Sequence, residues 1–166
     1  YDAIRAAMQT PEIVAIALIV GGILILVLER VVKTVRFHAV EEIPFGTALS
    51  IGLVQCTAML PGVSRSGATI MGGLMMGVER KTAAEFSFFL AVPTMMAATV
   101  YALWKDRALL NADDLGMIGI GFTMAFLVAV VVVKAFVAIV GRYGFAPFAY
   151  YRIIAGTAAL IWLTMR

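Results

Sequence analysis

The sequence predicts an all-α integral membrane protein: transmembrane helices plus one re-entrant helical hairpin, in a single membrane domain covering residues 1–166. Three observations carry this. Hydrophobic residues make up 63% of the chain and charged residues 14%, against about 45–50% and about 25% in soluble domains. The apolar residues come in runs long enough to cross a bilayer, not as the scattered lining of one buried core. Two shorter apolar stretches flank "LPGVSRSG", residues 60–67, a proline, glycine and serine loop built around a cation. The formal net charge of +3 does not point to nucleic acid, because the basic residues sit mostly at span ends, where they set topology.

The first span, 11–28, opens on Pro11, whose missing N–H costs nothing at a helix start. Neither a basic n-region nor a small-residue cleavage site precedes it in Tyr1–Gln9, so it does not read as a signal peptide. The chain starts without Met, which suits a piece of a longer protein. Arg30, Lys33 and Arg36 follow, then a polar break at Glu41, Glu42 and Pro44. Residues 45–60 are apolar but at the short limit for a span, and 68–78 are too few to cross. Both are accommodated if 45–78 enters the membrane, turns at a tip over 61–69 and leaves on the same side. Non-helical backbone at that depth is tolerated only against protein or a wet cavity, so the tip implies a cavity. Residues 83–104 form a span kinked near Pro93. Two more spans, 115–140 and 145–164, are joined by the turn Gly141–Gly144. Arg30, Lys33, Arg36, Arg80, Lys81 and Arg142 then share the cytoplasmic side. The loop 105–114, where Asp106, Asp113 and Asp114 outnumber Lys105 and Arg107, lies outside with both termini.

The tip carries the chemistry. Pro61 and Gly62 end the incoming helix and free its backbone. Ser64 and Ser66 offer hydroxyls beside Arg65, whose five-donor guanidinium suits bidentate oxyanion recognition. Gly67 permits a tight turn before a helix starts near Ala68, with unpaired N–H groups and a partial positive charge at its end. Thr69 adds a third hydroxyl. Donors, a cation and a helix N-terminus favour one guest, a multi-oxygen anion such as phosphate. Lone serines in membrane helices often bond their own backbone, and glycines often only allow close helix contact. An arginine at mid-span, however, costs at least about 2.5–3.5 kcal/mol and marks function by default.

The stretch "FGTALSIGLVQCTAMLPGVSRSGATIMGGLMMGVERKTAAEFSFFLAVP" and the later "FAPFAYYRIIAG" resemble the undecaprenyl-pyrophosphate phosphatase family, bacterial membrane enzymes linked with bacitracin resistance. "PGVSRSGAT" is similar to that family's second signature. The resemblance implies hydrolysis of undecaprenyl pyrophosphate to undecaprenyl phosphate and phosphate, which recycles the lipid carrier of peptidoglycan and other envelope polymers. It implies a bacterial plasma membrane location with the site facing the periplasm. It also implies inverted repeats, each with a re-entrant hairpin, of which this chain holds the second. Arg65, Ser64 and Ser66 would take the catalytic roles, and Gly62, Gly67 and Thr69 would bind phosphate. The family's first signature, a Glu/Gln-x-x-x-Glu segment and a Pro-Val-Ser-Ser-Thr-Gly-His loop, is not in this sequence. The divalent cation (Mg or Ca) that the resemblance implies would therefore find its carboxylates in the missing repeat, and this chain alone is expected to lack the full site. A homodimer is compatible with this reading and not required by it. Gln55, six residues before Pro61, matches the spacing of the family's acidic segment; it contacts substrate or makes an interhelical hydrogen bond.

Other polar residues are less specific. Glu85 either neutralises Arg65 or Arg80 or caps its own span. Arg152 either pairs with an acid or supplements the anion site, and both it and Glu85 are expected to matter more for folding than for chemistry. Lys134 snorkels to the inner interface. His38, the single histidine, reads as solvated, and the single cysteine, Cys56, as a packed hydrophobe. The ten methionines suit adaptable packing or a groove for a polyprenyl chain. A second function class fits the broken helix as well: a transporter or lipid-translocating protein with a midplane anion site. Phosphate release from a polyprenyl pyrophosphate separates the two.

Overall fold

The structure, a computed structural model, describes residues 10–105, 107 and 114–165. The expectations that rest on Tyr1–Gln9 and on the acidic balance of loop 105–114 lie outside the described residues. Among the described residues six α-helices follow in order: α1 (Pro11–Val31), α2 (Phe45–Gln55), α3 (Arg65–Met75), α4 (Arg80–Lys105), α5 (Asp114–Tyr143) and α6 (Ala146–Thr164). Short 3-10 turns at Val40–Glu42 and Cys56–Met59 precede and extend α2. Four helices, Pro11–Val31, Arg80–Lys105, Gly116–Tyr143 and Ala146–Thr164, are long and apolar enough to cross a membrane. Their large side chains, such as Ile16, Val100, Phe122 and Ile161, are exposed in bulk, as lipid-facing helices require. This is an all-α, multi-pass membrane protein.

The tightest pairing is α1 against α6, which run antiparallel. A Cβ on Gly22 would stand 2.8 Å from the Ala149 carbonyl oxygen, and one on Gly156 would stand 2.7 Å from that of Ala15. Ala15 and Ala149 are fully buried. Small residues seven apart on each helix thus let the two backbones touch, the usual way to gain packing where no hydrophobic drive exists between spans.

α2 and α3 are about 16 Å long each at about 1.5 Å per residue, half of a bilayer core. α3 sits between α2 and α4 because its glycines leave room: a Cβ on Gly72 would lie 3.2 Å from Val54 Cβ, and one on Gly73 3.2 Å from Ala83 Cβ. The two open ends of this helix pair lie at one place. The end of α3 is tied to the segment before α2 by Arg36 N donating to Gly77 O (2.7 Å) and Glu79 N donating to Phe37 O (3.0 Å). Thr82 Oγ1 adds a bond to His38 O (2.6 Å). At the other end, the loop 60–64 packs on α1: a Cβ on Gly62 would meet Ala17 Cβ and the Val14 carbonyl. Ala17 lies about 9 Å along α1 from Pro11 and about 21 Å from Val31. The loop therefore sits well inside the length of a spanning helix, with both mouths of the pair near the C-terminal end of α1.

That end is fastened by a residue whose role the sequence did not reveal. Glu29, its side chain 10% exposed, pairs with Arg80 Nε at 3.2 Å and accepts from Phe145 N at 2.8 Å. The carboxylate thereby joins α1, α4 and the N-terminus of α6, where negative charge is favoured. Glu85 pairs with Lys81 at 3.8 Å; it reaches neither Arg65 nor Arg80, whose acid is Glu29, so both neutralisation options are corrected. His38 Nδ1 lies 3.2 Å from Glu79 Oε2 and its side chain stays largely exposed. Cys56 is also exposed, not packed, with its thiol directed at Gly52 O. Glu42 accepts from the backbone N–H groups of His38 and Ala39, which holds its carboxyl below the usual range. Phe136 of α5 packs edge-on against Phe88 of α4 and beside Phe148 of α6.

Glu29→Ala strands Arg80 and the Phe145 N–H together, so it should cost about 1–3 kcal/mol. A thermal melt in detergent checks this; an unchanged midpoint would show that the junction does not hold the helices.

Candidate functional site

Ser64 starts α3. Its hydroxyl accepts from Gly67 N at 3.2 Å and its carbonyl takes Ala68 N at 2.8 Å, the bonding of a helix N-cap. The back-bonding that a serine in a membrane helix often shows is present here, yet it does not use up the site. Ser66 Oγ lies 3.1 Å from Ser64 Oγ. The backbone N–H groups of Arg65 and Ser66 have no acceptor among the described residues. They are first-turn donors at the positive end of α3.

Arg65 projects from the first position of that helix. Nη1 donates to Thr94 Oγ1 of α4 at a long 3.4 Å. Among the described residues no carboxylate pairs with it. The guanidinium borders a pocket of about 250 Å³ together with Gln55, Ser64, Ser66, Ser87, Phe88 and Ala91. The fold thus brings Gln55, Ser64, Arg65 and Ser66 into one cavity. Gln55 forms no interhelical hydrogen bond among the described residues; it stands on the pocket wall at the end of α2.

Other tip residues serve the backbone. Gly62 has φ +81°, and a Cβ there would lie 2.7 Å from Ala17 Cβ and 2.8 Å from Val14 O. Only glycine allows both the left-handed conformation and that approach to α1. A Cβ on Gly67 would press on Ser64 Cβ at 3.2 Å. Thr69 is set apart from the pocket: it is 1% exposed and its hydroxyl donates to Arg65 O at 3.0 Å. Ser64, by contrast, also borders an apolar groove of about 720 Å³ between α1 and the loop, walled by Ile16, Val20, Leu60 and Val63 and shared with Arg152.

Arg152 has a different task from Arg65. Its Nη2 donates to Gly62 O at 3.0 Å and to Ala17 O at 3.4 Å. Of the two roles that the sequence suggested, pairing with an acid is corrected, since no carboxylate pairs with it among the described residues. For the other, a supplement to the anion site, Arg152 borders a cavity with Ser64, Ser66 and Gly67 and its Nε is enclosed without a partner. The Arg152 fork meets loop and α1 carbonyls, so it stitches α6 and α1 to the tip. Gly21 makes space for it, since a Cβ there would lie 2.6 Å from Nη2.

The pocket's donor set does not fit a divalent cation. It offers a guanidinium, hydroxyls and one carboxamide, and no group of three or more His, Cys, Asp or Glu that could hold a metal occurs among the described residues. It fits an anion. Two residues on α4 escaped sequence reading: Ser87 on the pocket wall and Thr94, which takes the Arg65 hydrogen bond. Their signal was spacing alone: Ala83, Ser87, Ala91 and Thr94 recur every three to four residues on one face of α4, the face turned to α3.

A family model described as bacitracin resistance protein BacA matches residues 1–158. The chain is similar to the undecaprenyl-diphosphatase of Sphingopyxis alaskensis, 67% identical over 100% of this chain and 62% of the relative. It is 59% identical to that of Rhizorhabdus wittichii over the same shares. The undecaprenyl-diphosphatase 2 of Paramagnetospirillum magneticum is 52% identical over 100% of this chain and 64% of the relative. The chain therefore spans about three-fifths of the length of the curated relatives it matches.

Arg152→Ala leaves the Gly62 and Ala17 carbonyls without their donor. Hydrogen bonds to a charged group contribute about 1.5–3 kcal/mol, so the melting midpoint should fall clearly. Arg152→Lys, which can reach one carbonyl at a time, should recover part of the loss. Equal midpoints for all three proteins would refute the stitching role.

Proposed function

The chain belongs to the bacitracin resistance protein BacA family, and on that premise we propose that it supplies the phosphate-binding half of an enzyme that hydrolyses undecaprenyl pyrophosphate to undecaprenyl phosphate and phosphate. The single observation that carries this is Arg65: a guanidinium inside a membrane bundle, with one long hydrogen bond and no carboxylate among the described residues. An unpaired charge in such surroundings is costly. A substrate pyrophosphate removes that cost, and the relatives' printed name, undecaprenyl-diphosphatase, supplies a molecule that carries one.

In the proposed reaction the bridging P–O–P bond breaks, an oxygen that originates from water bonds to the terminal phosphorus, and undecaprenyl phosphate leaves. Arg65 grips the non-bridging oxygens with two parallel N–H groups and offsets the charge that builds on them. The free N–H groups of Arg65 and Ser66 and the Ser66 hydroxyl add donors around the same phosphate. Ser64 keeps the loop in this shape by accepting from Gly67 N, which leaves its hydroxyl proton for the phosphate. Gln55 contacts the substrate from the opposite wall. The divalent cation belongs to carboxylates outside this chain, and no step is assigned to it.

The helix pair α2–α3 is the re-entrant hairpin of this proposal. Its support is that the end of α3 bonds back to residues 36–37, ahead of α2, while the tip reaches Ala17. The basic residues Arg30, Lys33, Arg36, Arg80 and Lys81 near those mouths set them on the cytoplasmic side of the bacterial plasma membrane. The tip then opens to the periplasm, where the lipid carrier is released from envelope synthesis.

Two measurements test the reading. In the full-length protein Arg65→Ala should lower phosphate release from a polyprenyl pyrophosphate at least about a hundredfold. Arg65→Lys should stay badly impaired, because it keeps the charge and loses the planar fork. Near-normal turnover of folded Arg65→Ala would reduce the tip to a packing turn. For topology, Ser66→Cys in a Cys56→Ser background should react with an impermeant thiol reagent added outside the cell; labelling only from the cytoplasm would invert the orientation.

A further inference from the structure

Helix α4 passes along the Arg65 pocket and contributes two hydroxyls that no motif singles out. Ser87 is 7% exposed and borders the pocket with Arg65, Ser64 and Ser66. Its hydroxyl makes no hydrogen bond among the described residues. The other buried hydroxyls of the chain behave differently: Thr69 donates to Arg65 O and Thr82 to His38 O. A serine in a helix can satisfy itself at the carbonyl four residues back, as Ser50 does at Gly46 O; Ser87 does not. Its oxygen keeps some exposure, and the residue borders the pocket; among the described residues the one fully enclosed side-chain nitrogen or oxygen without a partner is Arg152 Nε. Thr94, seven residues on and on the same face, bonds Leu90 O and Ala91 O and takes Arg65 Nη1 with a free lone pair. It sits directly after Pro93, which lacks the N–H that would lock the preceding turn.

From this we infer that α4 is the second wall of the anion site: Ser87 donates its hydroxyl to a pyrophosphate oxygen held by Arg65, and Thr94 is a positioning residue that keeps the Arg65 fork turned to the pocket. The inference rests on the phosphatase reading for the identity of the anion. Its geometry explains why a serine that borders the pocket leaves its hydroxyl unbonded to its own helix. It also gives the anion donors on two sides, from the start of α3 and from the flank of α4, so that a phosphate is held between helices and not against one. Thr94 uses its proton on α4 carbonyls, and it therefore acts on the anion only through Arg65.

The test uses the full-length protein, with inorganic pyrophosphate as the binding probe and a polyprenyl pyrophosphate as the substrate. Ser87→Ala removes a hydroxyl that bonds nothing among the described residues, so its melting midpoint without ligand should stay close to that of wild type. Its kcat/KM should fall about tenfold to a hundredfold, the worth of one hydrogen bond to a charged oxygen. The rise in melting midpoint that pyrophosphate gives wild type should shrink in parallel, and Ser87→Thr, which keeps a hydroxyl, should restore part of both. Thr94→Val, nearly the same shape, should raise KM and lower kcat less than Arg65→Ala does. Unchanged kinetics and an unchanged pyrophosphate shift in Ser87→Ala overturn the inference while the phosphatase reading stands. If wild type releases no phosphate yet pyrophosphate stabilises it in a Ser87-dependent way, the contact holds and the reaction is wrong. If pyrophosphate has no effect on wild type and no phosphate is released, both fall.

Discussion

A polar backbone group freed inside an apolar helix bundle has no water to turn to, and the rest of this structure is arranged around meeting that need. The break at 60–64 opens two helix ends at once. On the acceptor side, the Gly62 carbonyl is taken by Arg152. On the donor side, Gly67 N goes to the Ser64 hydroxyl and Ala68 N to the Ser64 carbonyl. What stays unmatched around the break is of one kind: the N–H groups of Arg65 and Ser66, the Arg65 guanidinium, Arg152 Nε and the Ser87 hydroxyl. A surplus made only of donors selects an anion, and a surplus at the end of a helix dipole selects it twice over.

The scaffold exists to keep that surplus in place. The antiparallel α1–α6 pair has backbones in contact through Gly22 and Gly156, so α1 can offer a rigid surface to the loop at Val14 and Ala17. α6 sends Arg152 through the space at Gly21 to the same loop. At the far end, Glu29 ties α1, α4 and α6 together. Relative sliding of α1 against α4 would carry the tip away from Thr94 and the α4 wall, so the Glu29–Arg80 ion pair and the tip geometry are mechanically linked, although they lie toward opposite ends of α1.

How much of this the sequence told is itself a matter of cost. Membrane class and the loop were legible because long apolar runs and a proline–glycine break are strong, local signals. Arg65 was legible because a guanidinium within a span is too unfavourable to be incidental. The weaker signals failed where two roles share one residue type. Thr69 and Ser64 look alike in "SRSGAT", yet one is buried and back-bonded and the other faces the cavity; the difference is the direction in which α3 is rotated, which packing of Gly72 and Gly73 decides. Glu29 borders a basic stretch and carries no local signal, because its partners Arg80 and Phe145 are distant in sequence. Ser87 and Thr94 look like ordinary span residues until α4 is laid against α3.

The two intramembrane arginines show why function had to be read from partners and not from residue type. Both carry the same fork and the same penalty. Arg152 meets two carbonyls that the break and the close helix contact leave available, so its charge is spread into the protein and its value is structural. Arg65 starts a helix whose own dipole is positive at that end, and its neighbours are hydroxyls and N–H groups; nothing around it accepts strongly except Thr94 at 3.4 Å. Moving Arg65 one turn further along α3, to Ala68 or Thr69, would place it where side chains are 0% and 1% exposed and no space for a guanidinium exists. Its position at the first residue of α3 is the place on that helix where a cation can stay hydrated from the cavity in the empty state and desolvate onto an oxyanion in the bound one. A charge that is tolerable empty and favourable only when matched is what makes the site bind by differential energy, and it requires that the protein withhold an acid from Arg65 while giving Arg152 its acceptors.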